Sequence, residues 1–356
     1  MKKLFLVTLF LTFLSAIIFS LYLLDSQKTL ESFLKISQKN LEEYSLAEVT
    51  GFDPVEDKEI LEGISIELKK NPNNCLFLKQ ISHLSLTKGK ALSRWKGEYL
   101  YLNGLQELSG IAGTTLIQWQ GKQLCLDGIQ QLDEATAEIL SQWQGNWLHL
   151  NGVQQLDEAT AKALSQWQGY KLYLNNLQKL DEATAKALSQ WQGYWLHLNG
   201  VQQLNEATAK VLAQWQGTWL CLDGLQQIDE TTAKALSQWP GKRLDLNGVK
   251  ELDEATAKAL AQWQGNMFFT LSLKGVQELD ELTAKALSQW QGKYLYLNGV
   301  QQLDDATAKA LAQWKGDWIS LNGVQQLDDA TAKALAQYKG EIYAREEILD
   351  QIKKLK

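Results

Sequence analysis

Five side chains at one recurring spacing carry the chemistry most easily turned to catalysis. Cys125 precedes His149 by 24 residues, His197 precedes Cys221 by 24, and Asp245 follows Cys221 by 24 again. A thiol beside an imidazole, with a carboxylate one step further, is formally the set of a cysteine nucleophile with its base and orienting group. Cys75 and His83 complete the three cysteines and three histidines of the chain. No two cysteines have the CxxC spacing of a zinc site, and three widely separated ones do not make a disulfide framework, so free thiols are expected.

The spacing comes from the elements that must hold these residues. Aromatic residues that close a helical stretch recur at a step of 24, from Trp95 through Trp119, Trp143, Trp167, Trp191, Trp215 and Trp239 to Trp263. One step of 27 leads to Trp290, after which 24 returns through Trp314 to Tyr338, so NMFFTLSLKG reads as a local insertion. A fixed period of this length is the mark of a solenoid, in which each copy buries its apolar face only against its neighbours.

Each copy divides into two halves. In Asp157–Trp167 the residues Ala159, Ala163, Leu164 and Trp167 form the apolar stripe of a short helix, which Asp157 caps. Glu158 stands four residues before Lys162, and Gly169 is expected to stop the helix. In Trp147–Val153 the chain alternates as a strand, Leu148 and Leu150 inward and Trp147 and His149 outward. Asn151-Gly152 then makes the turn, with Gly152 expected at positive φ. The helix-end tryptophans keep one place on the apolar stripe and read as a core ladder.

The pattern L-x-L-N-G-V-x-x-L, followed by DEATAKAL and W-x-G, resembles a leucine-rich repeat of a bacterial variety, from about Asn74 to the C-terminus. The resemblance implies an α/β fold: a right-handed horseshoe solenoid with a parallel sheet on the concave face and short helices on the convex one. It also implies protein binding by the concave sheet, and it brings no catalytic residues. Asn151 follows the second leucine directly, so the usual asparagine geometry of such repeats is not carried over.

Two columns should share the open face of the sheet. The residue before the leucine pair runs Cys75, Tyr99, Gln123, Trp147, Lys171, Trp195, Trp219, Arg243, Thr270, Tyr294 and Trp318. The residue within the pair runs Phe77, Tyr101, Cys125, His149, Tyr173, His197, Cys221, Asp245, Ser272, Tyr296 and Ser320. These columns vary while helix positions barely change, which is what a partner-binding face requires. Tyr99, Tyr101, Trp147, His149, Lys171, Tyr173, Trp195, His197, Trp219, Arg243, Asp245, Tyr294, Tyr296 and Trp318 are its candidate contacts, with Lys171, Arg243 and Asp245 setting register. His149 and His197 stand two strands apart, roughly 10 Å, which is poor geometry for a shared metal. No oxyanion hole or closed pocket is apparent, so the columns read as a binding surface, with no catalytic residue, metal or cofactor.

At a net charge of -6 with dispersed basic residues, the chain has no stripe suited to nucleic acid. Leu4–Leu24 is an uncharged, mostly apolar run after Lys2 and Lys3, long enough to cross a bilayer, and it ends in Tyr22-Leu23-Leu24. The organisation expected is an anchor over residues 1–25, a helical stalk over 26–52, an N-terminal cap over 53–73, the solenoid over 74–340 and a C-terminal strand and helix over 341–356. The positive-inside bias places everything after Asp25 outside the cytoplasm, in a bacterial periplasm or on a cell surface, or secreted if the leader is cleaved. The expected partner is a protein or peptide, with a cell-wall glycan stacked on the aromatic rings as the alternative.

Overall fold

Leu-x-Leu gives each copy a strand of three residues, and the leucines bury themselves completely: Leu148 and Leu172 are 0% exposed. The computed structural model describes residues 75–355, apart from positions 80, 94 and 265–268. The anchor, the stalk and the N-terminal cap lie outside the described residues. Asn73–Lys356 fall in one compact unit. Among the described residues no helix is long and apolar enough to cross a membrane.

The strands are β1 (Cys75–Phe77), β2 (Tyr99–Tyr101), β3 (Gln123–Cys125), β4 (Trp147–His149), β5 (Lys171–Tyr173), β6 (Trp195–His197), β7 (Trp219–Cys221), β8 (Arg243–Asp245), β9 (Thr270–Ser272), β10 (Tyr294–Tyr296), β11 (Trp318–Ser320) and β12 (Glu341–Tyr343). They form one open parallel sheet in sequence order. A helix follows every strand, and successive helices pack side by side. Register matches equivalent residues of neighbouring copies, Trp195 against Trp219 and His197 against Cys221. It survives the insertion, since Arg243 pairs with Thr270 and Asp245 with Ser272.

The core is the expected ladder. From Trp119 to Trp314 and on to Tyr338, each ring stacks on the next at 5.8–6.0 Å with planes within 2–12°. Six of the indole N–H groups donate to the backbone carbonyl of the preceding tryptophan at 2.8–3.1 Å, among them Trp167 to Trp143 and Trp191 to Trp167. Burying the indole therefore strands no donor in these copies.

The glycines serve this ladder in a way the sequence reading misassigned. The helix begun at Glu158 ends at Leu164 with Ser165 as its C-cap, so Gly169 is no helix stop. A Cβ on Gly169 would lie 1.8 Å from Cζ2 of Trp167, and the indole occupies the place of a side chain. Gly152 does not take positive φ; among the described glycines only Gly110 does, at 56°. A Cβ on Gly152 would meet the carbonyl oxygens of Asp127 at 2.2 Å and Ile129 at 2.6 Å, so this glycine is needed where one turn lies against the turn before it.

Helix orientation also differs from the stripe read in the sequence. Ala159 is exposed, and Thr160, Ala161, Leu164 and Trp167 face the core. In several copies the buried threonine hydroxyl has a partner, Thr136 donating to the Leu108 carbonyl at 2.8 Å and Thr184 to the Leu156 carbonyl at 3.2 Å, each in the copy before, whereas the Thr331 hydroxyl is buried without one. The predicted cap is present, since the Asp157 carboxylate accepts the Thr160 amide at 2.8 Å, and Asn205 does the same for Thr208 at 2.9 Å. Glu158 and Lys162 do not close into the ion pair that joins Lys309 to Asp305 at 2.6 Å in a later copy.

Candidate functional site

Parallel pairing in exact copy register makes the outward positions into rows perpendicular to the strands. Trp147, Lys171, Trp195, Trp219 and Arg243 lie in one row, and His149, Tyr173, His197, Cys221 and Asp245 in the other. These side chains cover one another more than they face water, so most are half-buried.

In the second row His149 stacks on Tyr173 at 4.0 Å and Tyr173 on His197 at 4.3 Å, with planes within 12–16°. Tyr173 thus separates the two imidazoles, which share no ligand position. Burial holds His149 below the usual imidazole range and pushes His197 down to about 4. Burial likewise pushes the Cys125 thiol up to about 12 and raises Cys221 further, the Asp245 charge adding to it. Neutral imidazoles beside protonated thiols have no thiolate with which to begin nucleophilic attack.

In the first row every indole is met by a cation or another ring. Lys171 Nζ sits 3.3 Å from the ring centroid of Trp195 and 4.3 Å from that of Trp147, held between the two. Trp195 and Trp219 are 4.4 Å apart at 60°, and the Arg243 guanidinium lies 4.0 Å from the Trp219 centroid. Asp245 corrects one expectation. It is 3% exposed, accepting the Trp219 indole N–H at 2.8 Å and the Arg243 Nε–H at 3.0 Å, so it braces the row from within and is not displayed for a partner.

Toward the ends the pattern loosens. Tyr101 stacks on Phe77 at 4.2 Å, and Tyr99 lies 6.2 Å from Trp147 across β3, where Gln123 is buried. Tyr294, Tyr296 and Tyr343 meet Trp318 edge-on at 5.8, 4.9 and 4.6 Å. The fourteen candidate positions therefore fall in a central group from β4 to β8 and smaller groups at β2 and at β10–β11.

A third column was missed. The residue just after the ladder glycine is Tyr170 in one copy and Tyr194 in the next; their rings stack at 4.4 Å and are 42% and 47% exposed, more open than any tryptophan of the face. Its signal was present in the sequence, because this position also varies between copies, from Asn146 to Tyr170, Tyr194, Thr218 and Lys242. Backbone bonds carry the ladder out to it, Tyr170 N–H donating to the Asn146 carbonyl at 2.7 Å.

Searches of protein-family models and of curated proteins gave no match to this chain. Among solved structures, the crystal structure of an internalin from Listeria monocytogenes is similar over 83% of this chain and 92% of its own, at 15% identity and a TM-score of 0.47. At that level of likeness the architecture stands on the chain's own strands and helices.

Proposed function

We propose that this chain is a non-enzymatic binding scaffold, a right-handed leucine-rich-repeat solenoid whose concave sheet takes up a protein or peptide. The observation that carries the reading is the central aromatic plate of β4–β8, extended by the exposed Tyr170–Tyr194 pair, which meets it where the Tyr170 ring lies 6.3 Å from that of Trp195. A parallel sheet is ordinarily covered on both faces, and among the described residues the helices pack on one another in a single layer in chain order. Ring spacing supports concavity: equivalent tryptophans step by 5.8–6.0 Å in the core, against about 4.8 Å between strands. A stack that widens toward its helices bends around its sheet.

The experiment is photo-crosslinking from position 194 on the open face, with position 158 on the helical side as control, in membranes of the native source. The expected result is a polypeptide crosslinked from position 194 alone and lost when Trp195 and Trp219 are both changed to Ala with the circular dichroism unchanged. Crosslinking to glycan, or equal capture from both faces, overturns it.

Residues 4–24 are proposed to hold the scaffold on the outer side of a membrane, by their apolar run and the two lysines before it. Release of the chain by alkaline carbonate would refute this.

A further inference from the structure

Charge on the outward positions of β4–β8 is nearly self-cancelling. Arg243 is paired with the buried carboxylate of Asp245 at 3.0 Å, and the histidines are neutral at pH 7 because burial lowers them. Lys171 is the exception. Among the described residues it makes no ion pair, and its ammonium is instead enclosed by Trp147 and Trp195. Burial lowers its pKa, the sign of a cation that has given up part of its water without receiving a counter-charge. Indole faces replace only some of that hydration. A carboxylate arriving from outside would meet a positioned, partly dehydrated cation in the middle of an apolar plate, where a charge-assisted bond is worth most. A basic segment would be repelled there, and a neutral sugar would stack on the rings and leave Lys171 as it was.

We propose that Lys171 is the anchor for a carboxylate of an extended acidic peptide segment, whose neighbouring apolar side chains lie on Tyr194, Trp195 and Trp219. The proposal rests on the open sheet being the binding face. Alternate side chains of an extended peptide are about 7 Å apart, one and a half strand spacings, which reaches from Lys171 to the Trp195–Trp219 pair. An acid followed two residues later by an aromatic or aliphatic residue is the pattern that fits.

Its test is selection of a displayed random dodecapeptide library on the full chain and on the Lys171→Gln variant. The expected result is enrichment of Asp or Glu two positions before an apolar residue on the wild type, and loss of the acid enrichment on K171Q. A synthetic peptide of the selected sequence should lose about tenfold in affinity when Lys171 becomes Gln or when its own Glu becomes Gln, and little more when both are changed. Peptides that depend on Trp195 and Trp219 but show no acidic enrichment, or a basic one, overturn the role of Lys171 and leave the binding face standing. Failure to select any peptide that W195A/W219A abolishes overturns both.

Discussion

At the scale of single residues, burial decides what the reactive groups can do. Cys125 and Cys221 have the spacing of nucleophiles and the surroundings of core residues, each 2% exposed with its thiol pushed up by burial. Both should therefore stay silent to a thiol reagent at pH 8 in the folded protein and react at once in denaturant, as measured by absorbance of the released chromophore. The histidines make a second prediction. His197 is held at about 4 and His149 below its usual value, while the unfolded chain has both near ~6.5. Between those values the unfolded state binds more protons, so stability falls as pH drops from about 6.5 toward 4. Changing both to Phe should flatten that part of a urea-midpoint profile. Glycine gives the sharpest contrast: Gly169→Ala drives a methyl into Trp167 and should cost roughly 2–4 kcal/mol. Gly110→Ala meets open space and only the positive-φ penalty, about 1 kcal/mol, by equilibrium unfolding.

At the scale of elements, a helix of seven residues is too short to persist by itself and is held by what its ends and one face touch. The caps secure the N-terminal end. Asp157, Asp229, Asp253, Asp280, Asp304 and Asp328 are held below the usual carboxylate range by the threonine amide each accepts. Their contribution is complete above the unfolded value near ~3.9 and is lost as pH falls through the lower folded values. Replacing these six by Asn, which already caps at position 205, should keep the helices at pH 7 and remove the part of acid unfolding below pH ~4, followed by circular dichroism. The cap was legible in the sequence because it depends on residues three apart. The facing of the helix was not: Thr184 lies inward against the copy before it, its hydroxyl donating to a carbonyl 28 residues earlier, a contact that no helical periodicity contains.

At the scale of the molecule, the chain is a one-dimensional stack in which strands and helices alike meet their neighbours in sequence order. Excision of one whole copy, Tyr194–Gly217, should restore the same register between the flanking copies and leave a cooperative fold of slightly lower stability, seen as a modest fall in thermal midpoint. Excision of half a copy should abolish folding, because a leucine pair would then face a helix. The terminal helix Glu346–Lys354 covers the last rung with Ile348 and Ile352, 2% and 5% exposed. Its removal opens that edge, and self-association by light scattering is the expected result.

Repetition let the sequence alone determine the strand–helix alternation, the leucine core, the tryptophan ladder, the caps and the two outward columns. All of these follow from spacing within one copy and its period. What only the tertiary structure decided is how side chains of different copies meet once parallel register sets them about 4.8 Å apart. Asp245 is covered on the outward face because Trp219 and Arg243 both reach it, Lys171 is enclosed because indoles stand on both sides, and the ladder glycines are small because Trp rings fill their side-chain space. Periodicity fixes which face a residue is on, and contact across the rungs fixes whether that face is open to a partner.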